Sequence, residues 1–163
     1  MNLSFRCAAA SLMLCASFAA TASPSVTKPL VIEGVLQEFV GPSLRCKSLF
    51  GGTIIGQGYS ALTGRVAFIG TDCITPSGPL FNFSNGRITI VTTDSEHIYA
   101  NYQGQFVPTG EGTKFTFNNA TFQITGGTGR YKKASGGGSF TGGEDMATGA
   151  GTIKLNGKIT YKP

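Results

Sequence analysis

Histidine occurs once in these 163 residues, charged side chains make up 13% of them, and no run of five like charges exists. A zinc site takes four ligands, and His97 has no cysteine or second histidine near it in sequence, so neither a metal nor a cofactor is expected. Nucleic-acid surfaces carry clustered basic stripes. The only basic cluster is Arg130, Lys132 and Lys133, which reads as a solvated turn, so no nucleic-acid partner is expected. Helix signals are nearly absent beyond residue 22 as well: no stretch of twelve residues there avoids glycine and β-branched runs while showing i, i+3, i+4 apolar spacing. Phosphate cradles are missing too. The only Gly-Lys pair, Gly157-Lys158, is followed by Ile159 instead of Ser or Thr, and Lys132 stands where a dinucleotide fingerprint needs its third glycine. No G-x-S-x-G nucleophile elbow occurs.

Long apolar runs are limited to one. Met1–Arg6 is short and basic, Cys7–Ala20 is apolar, and Ala20-Thr21-Ala22 offers small residues where a signal peptidase reads. This predicts a signal peptide over residues 1–22, cleaved near Ala22, and a secreted or periplasmic protein. The run is too short for a bilayer that needs about 20 residues, and no transmembrane segment is expected. Residues 23–163 then form one domain, with 12 basic and 8 acidic side chains. Only Cys46 and Cys73 remain in it, and an even pair in an oxidising compartment predicts a disulfide.

What fills the chain is glycine and short alternating segments. All 24 glycines follow Ala22. Leu30–Val40 is apolar on both parities, Leu44–Phe50 alternates, and Leu62–Gly70 sets Val66 and Phe68 against Arg65, Ala67 and Ile69. Gly86–Thr93 is β-branched, and Asp94-Ser95 is turn chemistry leading into His97–Val107. Phe115 and Phe117 lie on one parity and Phe122 and Ile124 on the other, which predicts a bulge at Asn118–Ala120. Gly149–Tyr161 is the cleanest two-sided segment. About eight strands follow, an all-β pattern that must close into a barrel or pair as a sandwich to protect its edges. Glycines inside strands favour the barrel.

In the segment Ile124–Gly143, "ITGGTGRYKKASGGGSFTGG", Gly126 and Gly127 are predicted to end a strand at Ile124 through positive φ, Thr128–Ala134 to make a compact connection anchored by Tyr131, and Gly136–Gly138 to open the next short strand through Phe140. Together with "GTKFTFNNAT" before it and "GTIKLNGKITY" at the end, this segment resembles the C-terminal half of allene oxide cyclase-like barrel proteins. That group includes plant allene oxide cyclases, dirigent proteins and small exported bacterial proteins. The likeness spans Leu30–Tyr161, strongest after Thr113, and its signature is Gly126, Gly127, Gly129, Arg130 and Tyr131. It implies an eight-stranded antiparallel β-barrel of calycin-like form, often with an apolar cavity for a hydrophobic ligand. The signature shapes the barrel and is not itself catalytic, so no catalytic residue is carried over.

Candidate ligand contacts come from the strand patterns. Tyr99, Asn101 and Gln103 share the most polar strand face with His97, and would orient a ligand if that face points inward. Glu33 and Arg65, each among apolar neighbours, are the expected buried charges and would pair with one another. Asp94, Glu96 and His97 form the only acid–histidine cluster and read as a hairpin tip. The expected function is non-catalytic binding of a small hydrophobic molecule or envelope component. The alternatives are a cyclase- or dirigent-like enzyme that steers a reactive intermediate by shape, and a structural or surface-interaction protein with a filled barrel.

Overall fold

A computed structural model describes residues 24–163; the leader expected over residues 1–22 lies outside them. Eight strands close into an antiparallel barrel in chain order: β1 (Val26–Pro42), β2 (Phe50–Ser60), β3 (Gly64–Ser77), β4 (Leu80–Thr92), β5 (His97–Pro108), β6 (Lys114–Gly127), β7 (Ser135–Asp145) and β8 (Ala150–Tyr161). Pairing of β1 with β8, from Val26 opposite Tyr161 to Gln37 opposite Ala150, completes the ring. The sandwich alternative is thereby excluded, and no sheet edge is left open.

Residue parity follows the pleat. Val66 and Phe68 point inward while Arg65, Ala67 and Ile69 point outward, as their alternation predicts. The expected bulge is present: Asn119 has φ +48°, and the β6–β7 register shifts between Thr116 and Thr121. Two segments differ from expectation. Leu44–Phe50 is mostly a loop, its alternation notwithstanding, because β1 and β2 separate there and Cys46 turns back to bond Cys73. Strand β4 begins at Leu80 instead of Gly86, because a register shift between Phe83 and Gly86, with Asn85 at φ +51°, breaks the parity there.

The two ends of the barrel differ. One carries the β1–β2, β3–β4, β5–β6 and β7–β8 connections. At the other, a single 3-10 turn, Gly129–Tyr131, folds back over the core. Tyr131 is only 1% exposed and packs against Tyr161 with ring centroids 5.1 Å apart, so it stoppers that end above Leu30, Ile98 and Ile159.

Candidate functional site: an acid cluster at the end of an aromatic core

Four polar side chains converge inside the opposite end of the barrel, one from every second strand: Glu38 on β1, Asp72 on β3, Tyr102 on β5 and Glu144 on β7. All four are buried. Alternate strands of a small barrel contribute side chains to the same layer, and this accounts for their meeting. Gly52 makes the convergence possible. A Cβ at this position would collide with Glu38 Oε1 and come within 3.0 Å of Asp72 Oδ1. Its N–H instead donates to Asp72 Oδ1 at 3.1 Å, and the Tyr102 hydroxyl donates to Asp72 Oδ2 at 3.0 Å.

Glu38 is the unsatisfied member. Neither of its carboxyl oxygens accepts a hydrogen bond from any donor. Two ionised carboxylates have no proton to share, so Glu38 and Glu144 bond to each other only when one of them is protonated. Burial pushes the Glu38 carboxyl far above the usual carboxylate range, and the hydrogen bond and charge of Glu144 add to the effect. Burial raises Glu144 as well. Asp72 is also raised by burial, but the bonds from Tyr102 and Gly52 and the charge of Arg45 oppose the shift. Tyr102 is raised by burial and by the neighbouring Asp72. The site is therefore a neutral, proton-bearing Glu38 carboxyl beside an Asp72 carboxyl that accepts two hydrogen bonds, in an apolar surround.

That surround is aromatic. Phe83 packs against Phe106 at 4.7 Å between ring centroids, Phe140 at 6.0 Å and Phe117 at 6.1 Å, and Phe117 meets Phe140 at 5.6 Å. Between these rings, Leu36, Ile54, Ile88 and Ile153, and the acid cluster lies a cavity of about 40 Å³. At roughly 10–15 Å³ per water it has room for about three or four waters. None of the residues lining it is basic. Phe81, Phe115 and Phe117 are only partly buried, and Phe115 sits directly opposite Glu144.

The side chains expected to meet a ligand lie elsewhere. Tyr99, Asn101 and Gln103 are exposed on the outer wall of β5, because Ile98, Ala100 and Tyr102 take the inward positions. Asn101 and Gln103 line an open polar groove with Arg45, Arg87 and Gln123. Glu33 and Arg65 are exposed and do not pair; the Glu33 carboxylate instead meets Lys154 Nζ at 2.6 Å across the β1–β8 ladder. Cys46 and Cys73 form the expected disulfide. Among the described residues, no group of three His, Cys, Asp or Glu is placed to hold a metal ion.

Gly126, Gly127, Gly129, Arg130 and Tyr131 form a structural lock. Strand β6 runs on through Gly127 instead of ending at Ile124: of the pair only Gly126 has a positive φ, +143°, and Gly127 is needed because a Cβ there would strike the His97 carbonyl. Gly129, at φ +49°, leaves room for Glu96, whose Oε1 accepts from the Arg130 N–H at 3.0 Å. The guanidinium of Arg130 pairs with Glu96 Oε2 at 2.9 Å through Nε and with Asp94 Oδ2 at 2.7 Å through Nη2, and lies 5.1 Å from the Tyr131 ring centre. The acidic residues of the acid–histidine cluster thus clamp the stopper, while His97 Nδ1 lies 3.4 Å from the Tyr99 hydroxyl.

The strand patterns pointed to the wrong charges. Glu38 shares parity with Leu30, Ile32 and Leu36, and Asp72 with Val66 and Phe68. Extending the buried parity to the strand ends finds both residues, whereas counting apolar sequence neighbours selects Glu33 and Arg65. Comparison of the chain with protein-family models and with curated proteins finds no match.

Proposed function

We propose that this is an exported, non-catalytic barrel that binds a compact, largely apolar molecule carrying one hydrogen-bonding group. The apolar part lies among Phe83, Phe106, Phe117 and Phe140, and the polar group meets Glu38. The observation that carries this is the buried Glu38 carboxyl, which faces an apolar cavity and has the Glu144 carboxyl as its one hydrogen-bonding neighbour, with no N–H or hydroxyl donating to it among the described residues. A buried acceptor without a donor is costly, and a ligand that donates to it recovers that energy. The basic-then-apolar start of the chain supports export, and the likeness to allene oxide cyclase-like barrels fits an interior ligand.

The cavity sets the size of the occupant. Anything larger than a few waters enters by displacing rings, and the partly buried Phe81, Phe115 and Phe117 mark where the wall gives. A second reading has one specific support. A protonated Glu38 beside the Asp72–Tyr102 pair is a set of acid and base groups, which a cyclase-like enzyme would use on a bound intermediate.

Methyl NMR with a series of small alcohols, amines and hydrocarbons tests the binding site. The expected result is shifts at Leu36, Ile54, Ile88 and Ile153 with none at the outward Ile55 and Ile69. Glu38→Gln should weaken the alcohols and amines more than the hydrocarbons. If every probe leaves the interior methyls unmoved, the binding reading fails.

A further inference from the structure

We infer that the tip of the β1–β2 hairpin docks on an anionic lipid surface. Five large apolar side chains stand in solvent within twelve residues: Phe39 (57% exposed), Val40 (50%), Leu44 (97%), Leu49 (62%) and Phe50 (40%). Single exposed apolar residues are ordinary on a folded protein, but five gathered on one hairpin tip mark an interaction surface. The loop does not fold these side chains away, because the Cys46–Cys73 bond ties its centre to β3. Leu49 is held at φ +57°, a conformation that bulky side chains rarely adopt.

Charge selects the partner. Exposed Arg45 and Lys47 interleave with these apolar groups, and no acidic residue occurs between Phe39 and Thr71. Apolar side chains that enter the interface, flanked by cations that reach the headgroups, are what binding to an anionic membrane requires. A second copy of the chain fits less well, since a two-fold contact through the tip would set Arg45 and Lys47 against their own equivalents. The tip lies at the same end of the barrel as the acid cluster, so a docked molecule presents that end to the lipid.

Flotation of the protein, as purified from its own host, with vesicles of phosphatidylglycerol and phosphatidylcholine against phosphatidylcholine alone tests this. Wild type should float with the anionic vesicles at least tenfold better than with the neutral ones, and added salt should reduce the difference. The double variant Leu44→Ser/Leu49→Ser should lose flotation, and Arg45→Gln/Lys47→Gln should lose the preference for anionic lipid. The serine variant should keep the wild-type melting temperature to within a few degrees, because Leu44 and Leu49 lie outside the core, and Lys47→Gln alone repeats the charge test while leaving the 2.8 Å bond from Arg45 to the Asn85 carbonyl in place. Wild type that stays with the soluble fraction in both mixtures overturns the inference, as do variants that float like wild type. So does sedimentation that shows a dimer abolished by the serine substitutions, which would make the tip a contact between copies of this chain.

Discussion

The hydroxyl of Tyr102 donates a 3.0 Å hydrogen bond to Asp72 Oδ2, joining β5 to β3 through the barrel interior, past the strand between them. A buried hydrogen bond contributes about 0.5–1.5 kcal/mol, and a buried acceptor that loses its donor keeps a desolvation penalty of about 1–3 kcal/mol. Tyr102→Phe removes the hydroxyl with little change of shape. We expect a loss of about 1–3 kcal/mol by denaturant unfolding at neutral pH. An unchanged midpoint would mean that this bond contributes nothing to stability.

Glu38 gives the fold an inverted response to pH. Its carboxyl holds its proton up to about 10 in the folded state and releases it in the ordinary carboxylate range when unfolded. Between those limits the folded state binds more protons, so stability falls as pH rises, by at most about 1.4 kcal/mol per pH unit for one such group. The raised Glu144 and Asp72 act in the same direction. The stabilisation is complete below the unfolded carboxylate range and is lost as pH climbs toward 10. Melting temperatures measured from pH 5 to pH 9 should therefore decline for wild type and decline less for Glu38→Gln. A wild-type profile that is flat or rises over that interval contradicts the assignment.

Gly129 and Arg130 separate two contributions to the lock over the barrel end. Gly129→Ala places a Cβ at φ +49° and drives it into the Glu96 carboxylate. The backbone term alone is about 1–2 kcal/mol. Arg130→Ala removes two ion pairs whose arginine is about a third exposed, and such pairs contribute roughly 0–1 kcal/mol each. The glycine substitution should be the more damaging of the two by thermal melting. The reverse order would make the ion pairs, and not the backbone turn, the main support of the stopper.

The Cys46–Cys73 bond closes a loop that spans the β1–β2 tip and most of β2 and β3. In the chain-entropy model a loop of this length contributes about 3–4 kcal/mol. Reduction, or Cys46→Ala with Cys73→Ala, should lower stability by that order while leaving the far-ultraviolet signature of the barrel intact. Loss of the β signature on reduction would show that the barrel does not close without the bond.

The architecture was legible because strand alternation and glycine spacing are local signals. Val66 against Arg65, or Phe117 against Phe122 across a bulge, needs no knowledge of what lies opposite. The site was not legible, because it is built from four strands that meet only after closure. Glu38 and Glu144 lie more than a hundred residues apart in sequence, and nothing local to either reports the other. Parity carried part of the information: Tyr102 shares its face with Ile98, Ala100 and Phe106, which places its hydroxyl inside. The direction of the Tyr99–Gln103 face was fixed by the same fact. A strand with apolar residues on one side and polar on the other turns the apolar side in unless something buried satisfies the polar one.

Native mass spectrometry of protein purified from its own host, alongside Phe140→Trp, tests the interior-ligand claim most directly. Phe140 packs against Phe83, Phe117 and Tyr102, so a larger ring there takes up the space left between them. The expected result is a bound small molecule on wild type that leaves on denaturation and is absent from a folded Phe140→Trp variant. Wild type that carries no added mass, and gains none when exposed to an extract of that host, would contradict an interior ligand and leave a filled barrel.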